Sequence, residues 1–192
     1  MRADWQQVEQ GEILFKPNFF SHQESDHLFK ALRAELPWEQ RSIKMFGKSV
    51  LQPRLQAWCG DASYTYSGLT MQPTPWTPEL LFIKSRIESV CDVHFNSVLV
   101  NLYRNGEDYM GWHSDNEKEL GVNPVIASVS LGASRRFLLR HKSSGETLEY
   151  LLDHGDLFTM GGQLQEYWKH SLPKMRKVNM ERINLTFRSV IG

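Results

Sequence analysis

The segment Asn101–Asp115, NLYRNGEDYMGWHSD, determines how the rest of the chain is interpreted. It predicts a strand from Leu99 to Arg104, an Asn-Gly turn, and a second short strand that runs into His113 and Asp115. Side chains two apart in a strand point to the same side, so this imidazole and this carboxylate are presented together. They are two candidate metal ligands that need a third. Without it, a turn with polar side chains is the better interpretation.

A candidate third ligand, His170, follows in the polar segment YWKHSLP. The chain then reads RINLTFR at Arg182–Arg188, where apolar residues alternate with Arg, Asn, Thr and Arg, which predicts a strand with one polar face. In most such strands the polar face lies in solvent. The two arginines, however, are roughly 20 Å apart along an extended strand, and a guanidinium pairs bidentately with a carboxylate. Arg182 and Arg188 are therefore predicted to contact both ends of a short dicarboxylate.

Two imidazoles and one carboxylate are the facial ligand set of non-haem Fe(II) oxygenases, which leaves open positions on the metal. The same ligands could hold a hydrolytic zinc ion with its water. The arginine pair favours the oxygenase, because a hydrolase has no need of a dicarboxylate site and a 2-oxoglutarate-dependent enzyme has.

Composition limits the classes of protein that remain. The chain has 192 residues, 41% of them hydrophobic and 23% charged, which suits one soluble globular domain. No apolar run approaches the ~18 residues of a membrane span, and the start MRADWQQVEQ lacks the apolar segment of a signal peptide. The two cysteines fit a reducing interior. The net charge is zero, so any nucleic-acid partner needs a local basic patch.

The order of predicted elements indicates the fold class. Ser21 and Glu24 form a capping box before a first helix, and Thr77-Pro78 opens a second. Short strands follow from residue 96 onward, at 97–104, 109–113, 125–131, 135–141, 146–152, 156–160 and 182–190. Residues 60–76 are expected to form a structured loop region. This order predicts an α+β domain with a β-sandwich or jelly-roll core and helices packed on one side.

The chain resembles the AlkB-type Fe(II)/2-oxoglutarate-dependent dioxygenases, most closely the members that act on double-stranded DNA. The resemblance covers nearly the whole chain. It is carried by NLYRNG, His-x-Asp, PVIASVSLGASRRFLLRHK at Pro124–Lys142, HSLP and RINLTFR. It implies one domain over residues 1–192, with N-terminal helices and a nucleotide-recognition lid in 1–95 and a double-stranded β-helix catalytic core in 96–192. The implied cofactors are Fe(II), the co-substrate 2-oxoglutarate and O₂.

The resemblance also implies roles for individual residues. Iron would be bound by His113, Asp115 and His170. The residues implied to contact 2-oxoglutarate are Asn101, Tyr103, Arg182, Asn184, Thr186 and Arg188. Arg182 with Tyr103 would hold the distal carboxylate, and Arg188 with Asn101 the end chelated to iron.

The implied reaction is oxidative demethylation of bases such as 1-methyladenine and 3-methylcytosine, which releases formaldehyde, succinate and CO₂. Aromatic faces and a nearby carboxylate favour such cationic bases over normal ones. The residues implied to contact the base are Arg54, Tyr64, Tyr66, Asn116 and Glu117. Tyr66 taken alone fits a core aromatic equally well. Asn116 stands where duplex-acting members usually have Asp, which weakens the expected selection for a cation.

Base flipping leaves a gap in a duplex, and Phe46 in Met45-Phe46-Gly47 resembles the family's wedge that fills it. A buried core phenylalanine is the alternative. Phosphate contacts are expected from two basic runs around the site, Arg135, Arg136, Arg140 and Lys142 in one and Lys174, Arg176 and Lys177 in the other. Charge runs of this kind are otherwise solvated surface.

The expected partner is alkylated, double-stranded DNA, bound by a monomer without contact to a membrane, in a bacterial cytoplasm or, in a eukaryote, the nucleus. Two alternatives remain open: the same chemistry on RNA or protein, and a jelly roll that binds nucleic acid without catalysis.

Overall fold

The computed structural model describes residues 4–45, 48–61, 64–66, 69–71 and 73–191. The strands, in chain order, are β1 (Gln6–Val8), β2 (Gly11–Lys16), β3 (Ser42–Met45), β4 (Lys48–Leu51), β5 (Leu55–Gly60), β6 (Tyr64–Tyr66), β7 (Leu69–Met71), β8 (Ser97–Tyr103), β9 (Met110–His113), β10 (Ile126–Gly132), β11 (Arg135–His141), β12 (Thr147–Leu152), β13 (Leu157–Gly161), β14 (Trp168–Leu172) and β15 (Arg182–Arg188). The helices are α1 (His22–Glu35), α2 (Pro78–Cys91) and α3 (Leu164–Tyr167), and a 3₁₀ turn covers Lys118–Leu120.

Two antiparallel sheets form the core. The major sheet has the order β1-β2-β13-β10-β15-β8-β5, and the minor sheet the order β12-β11-β14-β9. The hairpins β3–β4 and β6–β7 are separate from both sheets. One apolar cluster joins α1 and α2 to the major sheet, and a second lies between the two sheets. The layers are therefore helices, major sheet and minor sheet, which confirms the expected α+β jelly roll with helices on one side.

Strand β15 shows how this layering places polar side chains in the interior of the sandwich. Its apolar residues Ile183, Leu185 and Phe187 belong to the cluster under the helices. The alternate residues therefore face the minor sheet. Arg182 and Arg188 at the two ends of this polar face are 1% and 5% exposed. The polar face of β15 thus lines the interior of the sandwich and does not lie in solvent.

Both predicted helix starts are confirmed. The Ser21 hydroxyl accepts from the backbone N–H of Glu24, whose carboxylate accepts from the Ser21 N–H, which completes the capping box. Thr77 caps α2 and Pro78 is its first residue. Leu28 and Leu32 of α1 are buried, as the helical spacing of the leucines requires.

Four features differ from the sequence expectation. The region 60–76, expected as loop, contains the hairpin β6–β7. Strand β14 was not predicted, because its polar residues lack the alternation of a half-buried strand. The predicted strands on either side of the Asn-Gly turn do form, but they lie in different sheets. Residues 1–95 also supply β1, β2 and β5 to the major sheet, in addition to the helices.

No helix in the described ranges is long and apolar enough to cross a membrane.

The turn after β8 is held by a close backbone approach at Gly106. Its N–H donates to the carbonyl of Val178 at 2.7 Å, and its carbonyl accepts from the N–H of Met175 at 2.9 Å. A Cβ atom there would lie 1.8 Å from the Met175 carbonyl oxygen.

We expect Gly106→Ala to lower the free energy of unfolding by about 2–4 kcal/mol, because two backbone segments must separate. Chemical denaturation measures this. The matched control is Gly111→Ala, where an added Cβ meets nothing within 4 Å. Equal stability of the two variants would contradict the close approach.

Candidate active site

Two histidines and an aspartate meet at the edge of the minor sheet. His113 ends β9 and is the register partner of His170 on β14, and their ring centroids are 4.2 Å apart. Asp115 follows two residues after the end of β9. One ligand atom from each of the three residues lies within 4.8 Å of the others. The neighbouring strands thus bring together the three residues that the sequence singled out as metal ligands.

The hydrogen bonds of the two imidazoles suit a metal ion. His113 Nδ1 lies 2.8 Å from the carbonyl of Gly111, which only accepts, so Nδ1 donates and Nε2 keeps its lone pair. His170 is 4% exposed, and its buried Nδ1 has no hydrogen-bond partner among the described residues. Burial, and then the neighbouring His113, lower the pKa of His170 to about 3, so its ring is neutral.

Asp115 connects this cluster to the last strand. Its Oδ2 accepts from Arg188 Nη2 at 2.9 Å, whereas its Oδ1 lies 3.7 Å from His113 Nε2. Burial alone raises the pKa of the Asp115 carboxyl, but Arg188, His170 and His113 together lower it, and the net shift is downward. The carboxylate is therefore ionised, with one oxygen directed at the histidines. Two imidazoles and one carboxylate oxygen fit Fe(II).

Hydrogen bonds to α3 and β14 fix the loop that carries Asp115. The Asp115 N–H donates to Gln165 Oε1 at 2.9 Å, and the Ser114 hydroxyl donates to the Trp168 carbonyl at 2.7 Å. Gln165 is 2% exposed. Neither Ser114 nor Gln165 was singled out from the sequence, since neither belongs to a recognisable spacing. Both bonds hold the aspartate close to the strand that carries His170.

Arg182 lies at the opposite end of the polar face of β15. Its Nη2 donates to Ser130 Oγ and to Asn184 Oδ1, both at 2.9 Å, and its guanidinium carbon is 5.6 Å from the centroid of the Tyr103 ring. Burial lowers the pKa of Arg182 to about 10, so the side chain remains charged at neutral pH. Its buried Nε has no partner within the described part of the chain. A buried cation with an unused donor suits an anionic ligand.

One pocket contains both the histidine cluster and the polar face of β15. Its lining includes the triad and all the residues expected at 2-oxoglutarate, namely Asn101, Tyr103, Arg182, Asn184, Thr186 and Arg188. Asn101 is held by Arg54, whose Nε donates to Asn101 Oδ1 at 2.9 Å. Arg54 also lines a second cavity of about 340 Å³, which shares His113 and Met110 with the first pocket.

Comparisons with known proteins agree with this geometry. A family model described as the 2OG-Fe(II) oxygenase superfamily matches residues 12–188. The chain belongs to this superfamily. It is 44% identical over 184 residues to bovine alpha-ketoglutarate-dependent dioxygenase alkB homolog 3, which covers 91% of this chain and 64% of that protein. It is 40% identical over 185 residues to human DNA oxidative demethylase ALKBH2, covering 90% of this chain and 71% of that protein.

These relatives make the chain an AlkB-type member of the superfamily, as the sequence predicted. It spans about two thirds of the length of the alkB homolog 3 proteins that it matches. The solved structure of OsALKBH1 aligns with a TM-score of 0.68 at 19% identity, over 96% of this chain and 100% of that one, which shows the same fold. The superfamily uses Fe(II), 2-oxoglutarate and O₂, which are the cofactors expected from the sequence.

In this AlkB-type chain, the residues expected at the base are only partly brought together. Arg54 lines the second cavity, whereas Glu117 is half-buried and does not line it. Asn116 lines a different hollow, beside Gly121 and Gln165. The backbone of Tyr64 and Tyr66 forms β6, but their side chains lie outside the described part. The expected wedge residue Phe46 also lies outside the described residues.

The first basic run requires one correction. Arg135 was expected to contact phosphate, but it is 1% exposed, and its guanidinium donates to the carbonyls of Asn105, Asp108 and Pro173. It therefore fixes the loops around β9 from inside, and that expectation is wrong. The basic run in the sequence does not indicate which of its side chains are exposed. Arg135 is the first residue of β11, and its side chain points inward.

The other basic residues are on the surface. Arg136 is paired with Glu149 at 2.6 Å, and Lys142 Nζ lies 2.5 Å from the Glu166 carbonyl. Lys174 and Arg176 both approach Glu107, at 3.0 and 3.4 Å. The two remaining residues, Arg140 and Lys177, are exposed. Contact with phosphate stays a prediction for these six residues.

A second cluster, His22, Asp26 and His154, also places potential ligand atoms within 4.8 Å of one another. The backbone N–H of Gly132 donates to His154 Nδ1 at 2.8 Å. In the neutral ring Nε2 therefore carries the proton and has no lone pair for a metal. Hydrogen bonding thus distinguishes this cluster from the one at His113.

Gln165→Leu tests the support of Asp115. We expect about tenfold weaker Fe(II) binding, because the Asp115 N–H loses its acceptor and the ligand its orientation. Anaerobic calorimetry measures the affinity, with Gln23→Leu on the exposed side of α1 as the matched control. Unchanged affinity in a folded Gln165→Leu protein would show that this bond does not position the aspartate.

Proposed function

We propose that this chain is an Fe(II)/2-oxoglutarate-dependent dioxygenase that removes methyl groups from damaged DNA bases such as 1-methyladenine and 3-methylcytosine. The observation that carries the proposal is the single pocket that holds both the histidine cluster and the buried arginines of β15. A metal ligand set alone would suit several chemistries. The added cations suit a dicarboxylate co-substrate, which a hydrolase does not need.

The triad supplies the metal site. His113, Asp115 and His170 would hold Fe(II), which, with 2-oxoglutarate and O₂, supplies the oxidising equivalent that hydroxylates the methyl group and leaves succinate and CO₂. The hydroxymethyl group on a base nitrogen is a hemiaminal, so it leaves as formaldehyde and the base is restored. The protein contributes position and shielding from water.

The polar face of β15 would hold the co-substrate. Arg182, fixed by Ser130 and Asn184, is placed to pair with the distal carboxylate. Arg188 lies beside Asp115, and it would contact the end of 2-oxoglutarate near the metal. The arginines are buried, so their charge is little screened by solvent and their hold on an anion is strong.

The second cavity would take the base. It opens beside His113 and is bounded by Arg54 and by the partly exposed side chains Val50, Tyr109 and Trp112. A volume of about 340 Å³ is ample for one nucleobase that has left its stack. Arg54 also donates to Asn101 in the co-substrate pocket, so one side chain contacts both sites. The name of the relative ALKBH2, a DNA oxidative demethylase, supports DNA as the substrate.

The proposal is tested by mass spectrometry of oligonucleotides that contain 1-methyladenine, incubated with Fe(II), ascorbate and 2-oxoglutarate. We expect loss of the methyl group from DNA, with one formaldehyde and one succinate for each base repaired. Parallel RNA and methylated-peptide arms test the other substrates. No demethylation of DNA would refute the proposal, and repair of RNA alone would change its substrate.

Arg182→Met tests the role of Arg182 in binding the co-substrate. We expect the KM for 2-oxoglutarate to rise about tenfold or more, because a charge-assisted pair is lost. Arg136→Met, which removes a surface arginine paired with Glu149, should leave this KM unchanged. Equal KM values in both variants would remove Arg182 from the co-substrate site.

Preference for double-stranded DNA stays a prediction that depends on Phe46. The same assay on matched single- and double-stranded oligonucleotides tests it, since a wedge is needed only where a base leaves a duplex.

A further inference from the structure

The outer surface of the minor sheet carries an aromatic ring and two cations next to the candidate active site. Trp112 on β9 is 40% exposed and directly precedes His113. The guanidinium carbon of Arg140 on β11 lies 4.7 Å from the centroid of the Trp112 ring. Lys169 on β14 is the register partner of Arg140 and is also exposed. These three residues, Trp112, Arg140 and Lys169, form what we call the Trp112 strip.

None of the residues that the structure describes neutralises the cations of the strip. Within the described ranges, no carboxylate lies at ion-pair distance from Arg140 or Lys169. Neighbouring cations differ: Arg136 is paired with Glu149, and Lys174 with Glu107. An exposed indole beside two uncompensated cations suits a ligand that has both flat rings and negative charges.

The strip begins where the proposed base cavity opens. Trp112 and His113 both line that cavity, and His113 also lines the pocket of the triad. A polynucleotide whose damaged base enters the cavity must continue across the surface beside it. From Trp112 the minor sheet leads over β14 to β11, which is the path along which Lys169 and Arg140 lie.

We propose that the Trp112 strip binds an unpaired stretch of the strand that carries the damaged base. The indole, backed by the Arg140 guanidinium, stacks on a neighbouring base, and Arg140 and Lys169 contact phosphates. Bases within a duplex already have both faces stacked, so an exposed indole gains little from them. The strip therefore favours single-stranded substrate, unlike the duplex expected from Phe46. This inference rests on the proposed function.

The test is binding of a fluorescent, unmodified DNA oligonucleotide of about 10 nucleotides to the full chain with Fe(II) and 2-oxoglutarate under argon. We expect Trp112→Ala to weaken single-strand binding about tenfold, because one stacked base is lost, without changing its salt dependence. Arg140→Gln and Lys169→Gln should each make the slope of log affinity against log salt less negative by about 0.7, because each removes one phosphate contact.

Matched controls lie on the helical layer, on the opposite side of the major sheet. Phe82→Ala removes an aromatic ring that is 42% exposed, and Lys30→Gln removes an exposed cation from α1. Both should bind the oligonucleotide as the unmodified chain does. Thermal unfolding of every variant checks that a loss of binding is not a loss of fold.

Several outcomes would overturn the inference. If the strip variants bind single strands as tightly as the controls do, the strip does not belong to the DNA interface. An equal loss for Trp112→Ala on the matched duplex would exclude stacking on unpaired bases, and competition by polyglutamate as effective as that by DNA would reduce the strip to a general anion site. If the chain demethylates DNA but the strip variants bind the oligonucleotide as the unmodified chain does, only the strip is refuted. If the strip variants bind more weakly but the chain does not demethylate DNA, only the proposed function is refuted.

Discussion

A buried ion pair between the two sheets governs the arrangement of this site. Arg188 comes from the major sheet and Asp115 from the loop after β9, the edge strand of the minor sheet. Their side chains meet at 2.9 Å and are only 6% and 4% exposed. Burying two charges costs several kcal/mol for each unless their remaining hydrogen bonds are satisfied. Arg188 satisfies Asp115 Oδ2, Gln165 Oε1 accepts from the Asp115 backbone N–H, and Asp115 Oδ1 lies 3.7 Å from His113 Nε2. The interior of the sandwich is therefore polar at this end, and one carboxylate oxygen stays directed at the histidines.

Much of the site could be predicted because its residues follow local rules. The period-two pattern of β15 placed Arg182 and Arg188 on one face, and the His-x-Asp spacing kept Asp115 close to His113, although the strand itself ends at His113. Capping residues fixed the starts of α1 and α2. What the pattern of β15 could not decide was which face met solvent. That depended on a second sheet whose pairing is set by contacts between residues far apart in the chain.

The parts that were missed are those that long-range contacts decide. Strand β14 has no alternation of its own and forms because β11 and β9 flank it. Gln165 supports Asp115 from 50 residues away, and no spacing indicates it. Arg135 belongs to a basic run and yet points inward to three carbonyls. Each case depends on tertiary packing that overrides the local pattern.

The central claim is that residues from both sheets bind iron and 2-oxoglutarate together. An anaerobic titration with Fe(II) and 2-oxoglutarate tests it most directly, because a chelated 2-oxo acid on ferrous iron gives a visible charge-transfer band. We expect the band in the unmodified chain and in His22→Ala, and its loss in His113→Ala. A colourless unmodified chain, or a band that persists in His113→Ala, would contradict the account.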